Sequence, residues 1–315
     1  METLGRLARS VGHPFSNPSV FRRRRSEIRD AAGFLALYAD LCRLFRRPED
    51  YLLAAQDIAA SLARQGVAYA EIYASPEIFR RMDLDPEACL AAIQEGFQTR
   101  HGLCDCRILL DTVRQWGPEA ADRVLDLHER CRLPLVVGFG MGGDENSLPA
   151  ASFAGVYARA RALGLKTSVH AGEWGGPGSV REALDLLRPD RLDHGVAAVV
   201  EDRLLERLAD EGTILCVAPT GNRITGAFAL LGRHPLLRLL ETGVRVALSA
   251  DDPLLFSTTT AGEYAFALRE LGVSNRRLRE LAENSWRAAF CSPQDREAGL
   301  AGLQDWELSG SPGGL

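Results

Sequence analysis

Two histidines and three carboxylates follow short apolar runs in this sequence. They are His170 and Glu173, then His194, and finally the adjacent Asp251 and Asp252. Their segments are Ser-Val-His-Ala-Gly-Glu (168–173), Arg-Leu-Asp-His-Gly (191–195) and Ser-Ala-Asp-Asp-Pro-Leu (249–254). Adjacent carboxylates repel each other unless a cation or a hydrogen-bonding substrate separates their roles. The pattern therefore suits metal ligands beside a proton carrier.

Each of these residues also has a plain structural explanation. A histidine at the end of a strand is often a hydrogen-bonded structural residue. An aspartate directly before Pro253 can be a helix N-cap. The run Gly-Phe-Gly-Met-Gly-Gly-Asp-Glu (138–145) permits close backbone approach to a ligand, but is weak evidence by itself. The recurrence of such features at several strand ends favours a functional site.

Seven apolar, β-branched runs alternate with segments of helical spacing. The runs are residues 67–76, 107–113, 133–143, 166–173, 191–195, 213–222 and 245–253. Such strands imply a parallel sheet covered on both faces. Chemically capable residues end at least four of them, where a (β/α)₈ barrel assembles its site, and no G-x-G-x-x-G follows the first. We predict an α/β fold, a TIM-type (β/α)₈ barrel whose first strand is missing from this chain.

The composition predicts one soluble domain. The chain has 315 residues, 46% of them hydrophobic and 25% charged, which fits a single barrel over residues 1–309 and a frayed tail at 310–315. A net charge of -5 gives no general attraction to nucleic acid or anionic membranes, and we interpret residues 22–25, all arginine, as a solvated helix face.

Targeting and cysteine usage predict a cytoplasmic protein. The sequence has no secretory signal and no apolar stretch long enough to cross a bilayer. Its seven cysteines are scattered, as expected in a reducing compartment, and we expect Cys104 and Cys106 to be packed free thiols.

Taken together, these segments resemble the ordered signature blocks of the adenosine deaminase family of metal-dependent amidohydrolases. The blocks are residues 169–173, 193–195, 218–222 and 249–253, with 69–76 and 142–145 as two further blocks. They span nearly the whole chain in order and at appropriate spacing. The resemblance implies the barrel fold of metal-dependent hydrolases and one zinc ion per chain.

The resemblance also implies a role for each candidate residue. His170 and Asp251 are expected to be zinc ligands, and Glu173 to pass a proton to a purine ring. His194 is expected to orient the attacking hydroxide. The zinc ion supplies an activated water at neutral pH, and protonation of a ring nitrogen lets ammonia leave.

Two further positions are implied to bind the substrate, a small purine nucleoside. Asp252 is expected to contact the imidazole part of the purine, and the backbone of Gly143 to hold its pyrimidine edge. The implied reaction is hydrolytic deamination of adenosine, or a related adenine nucleoside, to the inosine-type product and ammonia. The oligomeric state is not readable from the sequence.

One departure from the family concerns the metal. Family members begin with a strand bearing His-x-His, which supplies two more zinc ligands, but the histidines at 13, 101, 128, 170, 194 and 234 form no such pair. Residues 1–8 instead resemble the helix after that strand, so we expect the chain to start one strand late, to bind zinc poorly and to leave two strand edges unpaired. Met1 is then an internal methionine of a longer gene, or the chain is a shortened, catalytically inactive paralogue.

Other departures leave the substrate open. Tyr73 stands where many members carry arginine, and Gly221 where many carry serine. The segment 220–227 looks closer to nucleoside deaminases than to adenine deaminases. Adenine deaminase and 6-aminodeoxyfutalosine deaminase remain alternatives. An unrelated amidohydrolase acting on a cyclic amide is disfavoured by the Asp251–Asp252 pair.

Overall fold

Seven parallel strands form the centre of the protein. The computed structural model describes residues 2–99, 102, 104–228 and 232–308, so the predicted tail at 310–315 lies outside the described residues. The strands are β1 (Tyr69–Ala74), β2 (Asp105–Val113), β3 (Val136–Gly142), β4 (Lys166–Ala171), β5 (Arg191–His194), β6 (Ile214–Val217) and β7 (Arg245–Leu248). They pair in chain order from β1 to β7, and every pair is parallel.

Helices precede the sheet and follow each strand. Before β1 lie α1 (Glu2–Ser10), α2 (Pro18–Ser26), α3 (Ala31–Cys42) and α4 (Pro48–Arg64). Between β1 and β6 lie α5 (Pro76–Arg81), α6 (Pro86–Gln98), α7 (Pro118–Cys131), α8 (Ala154–Ala162), α9 (Gly176–Glu182) and α10 (Asp202–Glu211). After β6 come α11 (Pro219–Thr225), α12 (Leu236–Glu241), α13 (Pro253–Phe256), α14 (Thr260–Arg269), α15 (Asn275–Ala288) and α16 (Pro293–Leu308).

All seven predicted strands are confirmed, although some end earlier than their apolar runs. The run 213–222 leaves the strand after Val217, because Pro219 occupies the first turn of α11. Gly212 closes α10 in the left-handed conformation, with a φ of 67°.

The sheet curls like a barrel wall. The hydroxyl of Tyr73 on β1 donates to Asp193 on β5 at 2.6 Å, although three strands separate β1 from β5 in the sheet. Strands this far apart in a flat sheet would lie well beyond hydrogen-bond reach. The described residues contain no pairing between β1 and β7, so the fold is a (β/α)₈ TIM-type barrel with one strand missing, as predicted.

The helices before β1 cover one side of the carboxyl end of the sheet. Leu37 and Phe34 of α3 belong to a buried apolar cluster with Leu255 and Phe256 of α13. The rings of Phe34 and Phe256 stack with their centroids 5.1 Å apart. The N-terminal segment is therefore packed against the loop that follows β7, the strand nearest Asp251 and Asp252.

The prediction of packed free thiols is confirmed, and the predicted solvated arginine run is confirmed at three of its four residues. The arginines at residues 22–24 are exposed on α2, and Cys104 and Cys106 are buried free thiols. His13 caps a short 3₁₀ helix by accepting the N–H of Phe15 at 3.2 Å. Among the described helices none is both long and apolar enough to cross a membrane.

Candidate metal and catalytic site

The carboxyl ends of β4, β5 and β7 bring three predicted site residues together. The register pairs His170 with Asp193 and Ala171 with His194, so the two strands end side by side. Asp251 follows the end of β7. One donor atom from each of His170, His194 and Asp251 lies within 4.8 Å of the others. The described residues therefore supply a compact set of two imidazoles and one carboxylate.

The backbone at this site is unusual in two places. His194 has a φ of 65° and Asp251 a φ of 52°, a left-handed conformation that costs non-glycine residues free energy. Both residues belong to the three-residue cluster. The fold thus maintains local strain at the residues whose side chains converge.

His170 is fixed by groups on three sides. Its carbonyl accepts a hydrogen bond from Nη2 of buried Arg114 at 2.8 Å. Its Nδ1 lies 3.5 Å from Oδ2 of Asp193. A Cβ built on Gly142 would lie 3.5 Å from the ring's Cε1, so the backbone of β3 packs close to the imidazole.

Glu173 and His194 belong to a buried hydrogen-bond network. The side-chain amide of Asn222 lies 3.2 Å from Oε1 of Glu173 and 3.0 Å from Nδ1 of His194. Nε2 of His194 lies 3.5 Å from Oε2 of Glu173. Thr225 contacts Oε1 of Glu173 at 3.4 Å. Both ring nitrogens of His194 therefore face protein groups.

The electrostatics of this pair favour uncharged forms. Burial raises the pKa of Glu173 well above its usual value, and repulsion from the nearby Asp251 and Glu145 raises it further. Burial, together with repulsion from His170, lowers the pKa of His194 to about 3. Glu173 is thus suited to donate a proton, and a neutral His194 can accept a hydrogen bond or bind a metal ion.

Glu145 organises the loop that carries Glu173. Its carboxylate accepts backbone N–H groups from Gly172, Glu173 (3.0 Å), Trp174 (2.7 Å) and Gly175 (3.0 Å), and the hydroxyl of Ser179. Burial opposes the charged form, but these hydrogen bonds outweigh it and lower the pKa of Glu145. A charged, buried carboxylate therefore fixes the turn after β4.

Asp251 and Asp252 follow β7 at the carboxyl edge of the sheet. Burial of the carboxylates raises the pKa of each to about 7. Repulsion from Asp252 adds to the shift of Asp251, and repulsion from Asp111 adds to that of Asp252. Asp252 occupies the N-cap position of α13 but its side chain makes no capping hydrogen bond. The helix-cap explanation of Asp252 is therefore not supported.

Gly143 lies at the end of β3 in a conformation that requires glycine. Its φ is 92°, and a Cβ there would collide with Oε1 of Gln115 and lie 3.0 Å from Val113. The adjacent Gly142 packs against His170. The backbone of Gly143 thus lies at the same edge of the sheet as the cluster.

The donor set fits a divalent metal ion. Two imidazole nitrogens and one carboxylate oxygen are ligands that zinc accepts, and three protein ligands are usual for a catalytic zinc ion. Burial raises the pKa of both neighbouring carboxylates, and a cation at this position would stabilise their charged forms. His13 is engaged in its cap, and His101 lies outside the described residues.

Several residues near the site were not predicted from the sequence. Asp193 and Asn222 lay inside recognised blocks but received no role. Asp111, in the apolar run of β2, accepts hydrogen bonds from Ser75 at 2.6 Å and from the Gly142 N–H at 3.0 Å, and burial raises its pKa to about 6. A charged residue inside an otherwise apolar strand was the available signal for Asp111.

Comparisons with known proteins agree with the fold and identify a family. The family model for adenosine deaminase matches residues 14–306. An adenine deaminase of Chelativorans sp. (strain BNC1) is 38% identical over 278 residues, covering 87% of this chain and 85% of the relative. An adenine deaminase of Rhizobium meliloti (strain 1021) is 37% identical over 301 residues, covering 95% and 92%.

Solved structures show the same barrel. The crystal structure of an adenine deaminase from Arthrobacter aurescens has a TM-score of 0.92 and 26% identity, covering 98% of this chain and 94% of that chain. An amidohydrolase from Burkholderia ambifaria with bound zinc has a TM-score of 0.89 and 26% identity, covering 98% and 86%. The barrel predicted from the sequence is thereby confirmed.

Proposed function

Because this chain belongs to the adenosine deaminase family, we propose that it hydrolyses the exocyclic amine of an adenine ring and releases ammonia. The observation that carries the proposal is the convergence of His170, His194 and Asp251 within 4.8 Å, beside the buried carboxyl of Glu173. This arrangement combines a place for a metal ion with a proton donor.

His170 and Asp251 are proposed to hold the metal ion, for which we propose zinc. When bound, zinc supplies Lewis-acid activation of water at neutral pH. His194 is proposed to orient the attacking oxygen through a hydrogen bond. Its ring nitrogens lie beside Asn222 and Glu173, so we assign His194 to this role and not to the ligand set.

Glu173 is proposed to protonate a ring nitrogen of the purine. Asn222 and Thr225 contact one carboxyl oxygen, which leaves the other facing His194. A protonated ring accepts electrons during attack at the amine-bearing carbon, so ammonia can then leave. Asp252 and the backbone of Gly143 are proposed to bind the two edges of the purine.

Adenine itself is the substrate we propose first. The two curated relatives described above are named adenine deaminase at 37–38% identity. Adenosine is the second candidate, since residues 220–227 resemble nucleoside deaminases and a small purine nucleoside fits the same chemistry. Both substrates carry the same amine, so the proposed roles of Glu173 and His194 hold for either.

Ammonia release from adenine and from adenosine, measured on zinc-supplemented protein, tests the proposal. We expect a higher kcat/KM for adenine and loss of turnover after chelation. A higher kcat/KM for adenosine would reverse the order of substrates. No ammonia from either compound, on protein that binds one zinc ion, would refute both adenine and adenosine as substrates and leave 6-aminodeoxyfutalosine deaminase and the inactive paralogue as the alternatives.

A further inference from the structure

Three polar groups converge on one oxygen of Asp193. Oδ2 accepts the hydroxyl of Tyr73 at 2.6 Å and the hydroxyl of Ser168 at 2.9 Å, and it lies 3.5 Å from Nδ1 of His170. Tyr73 belongs to β1, whereas Ser168 and His170 belong to β4. The carboxylate therefore ties together strands on opposite sides of the barrel interior.

The position of Oδ2 of Asp193 favours one tautomer of the neutral His170 ring. Nδ1 is buried and, within the described part of the chain, has no partner at hydrogen-bond geometry. A buried ring N–H without a partner costs about 1–3 kcal/mol, and the carboxylate 3.5 Å away is an acceptor. A proton on Nδ1 is thus favoured, which leaves the Nε2 lone pair available.

The backbone of β3 leaves room for the side chain of Tyr73 to reach Asp193. A Cβ on Gly140 would lie 2.5 Å from Cε1 and 2.7 Å from the hydroxyl oxygen of Tyr73, so only glycine on β3 leaves room for the ring. The ring of Tyr73 also lies 5.9 Å, centroid to centroid, from that of His170. The tyrosine is held close to both members of the pair.

We propose that Asp193 is a positioning residue that orients His170 towards the metal ion, and that Tyr73 and Ser168 hold Asp193 in place. A carboxylate that accepts the second ring N–H of a metal-binding histidine fixes its tautomer and its orientation. The proposal rests on the proposed function only for the identity of the bound ion. The orientation of His170 is a property of the protein alone.

A purely structural role for Asp193 makes a different prediction. Burial opposes the charged form of Asp193, but the charges of His170 and Arg191 outweigh it and contribute to lowering the pKa of Asp193. If its only role were to compensate buried charge, its replacement would lower the free energy of unfolding but leave the tautomer of His170 unchanged. The tautomer therefore separates the two roles.

The test uses the metal-free protein first. Long-range ¹H–¹⁵N correlation spectra report which ring nitrogen of His170 carries the proton, with the signal assigned from a His170→Asn spectrum. We expect Nδ1–H in the wild type and a shift towards Nε2–H in Asp193→Ala. Asp193→Asn keeps an acceptor oxygen and should restore Nδ1–H. If Asp193→Ala does not fold, Tyr73→Phe takes its place in the test. The proposal predicts that its tautomer also shifts towards Nε2–H.

Zinc affinity, measured by competition with a chelator, is the second readout. Asp193→Ala should weaken binding by about 10- to 100-fold, with a smaller loss for Tyr73→Phe. Tyr69→Phe is the matched control, because it removes a hydroxyl that donates to Glu71 from the same strand, and it should retain wild-type affinity and tautomer.

The outcomes separate this proposal from the proposed function. An Nε2–H tautomer in the wild type, or an Asp193→Ala protein with wild-type tautomer and affinity, would overturn the positioning role. A tautomer that depends on Asp193 in a protein that binds no zinc would support the positioning role and refute the metal-dependent function.

Discussion

The side-chain amide nitrogen of Asn222 lies 3.0 Å from Nδ1 of His194. The same nitrogen lies 3.2 Å from Oε1 of Glu173. Asn222 is fully buried on α11, where Pro219 starts the helix directly after β6. One amide thus connects the group proposed to orient water with the group proposed to donate a proton.

Replacing Asn222 should therefore lower turnover more than substrate binding. For Asn222→Ala we expect kcat to fall by about 100-fold, within the range for loss of organised acid–base catalysis, with little change in KM. Asn284→Ala is the control, because Asn284 is a buried amide on α15 that donates to the Val246 carbonyl. It should lower thermal stability but keep kcat. Equal losses of kcat in both variants would contradict the role of Asn222.

Glu173→Gln should abolish turnover without removing the metal ion. The amide preserves the shape of the side chain but cannot deliver a proton, so kcat should fall by at least about 100-fold. Zinc content, measured by atomic absorption on the purified variant, should match the wild type. Retention of wild-type turnover would refute the proton role of Glu173.

Substitutions of Asp251 and of Asp252 should affect different functions. Asp251→Asn should weaken zinc binding by at least about 10-fold, because a neutral amide is a poor replacement for an anionic ligand. Asp252→Asn should retain zinc but raise KM, since Asp252 is proposed to bind the purine. Zinc titration and steady-state kinetics on both variants distinguish these effects. Zinc loss from Asp252→Asn alone would mean that the two assignments are reversed.

Glu145 should stabilise the fold in a pH-dependent way. Its folded pKa is lowered, so its stabilisation is present above the unfolded value of about 4.3 and is lost as the pH falls through the folded value. Glu145→Gln should therefore reduce the free energy of unfolding by about 2 kcal/mol at neutral pH, and by less in acid. Urea unfolding of both proteins over this range measures the difference.

The control for Glu145 is a carboxylate at the surface. Glu280 pairs with Arg276 and Arg277 on the exposed side of α15. Glu280→Gln should change stability by no more than about 0.5 kcal/mol. A difference between wild type and Glu145→Gln that grows as the pH falls would contradict the assignment of a buried, charged Glu145.

The strands and the principal side chains were predictable because they depend on local pattern. Apolar runs ending at His170, His194 and Asp251 predicted both the strands and the edge at which they meet. A parallel sheet brings the carboxyl ends of its strands together, so this convergence follows once the strands are identified. The seven-strand order and the site position were therefore available from the sequence.

The supporting hydrogen bonds were not predictable, because they depend on packing between distant segments. Glu145 reaches a turn 27–30 residues later, and Tyr73 reaches Asp193 across 120 residues. Neither periodicity nor composition specifies such pairs. The sequence placed His194 near the metal site, but its separation from Asp251 depends on how far the sheet curls and was not predictable.

Deamination in water enriched with ¹⁸O tests the central claim most directly. The zinc-supplemented protein should convert adenine to hypoxanthine that carries one heavy oxygen, with one ammonia released per product. Glu173→Gln at equal zinc content should give neither product. Absence of ammonia and of labelled product from both adenine and adenosine, in wild-type protein with one bound zinc ion, would contradict hydrolytic deamination at this site.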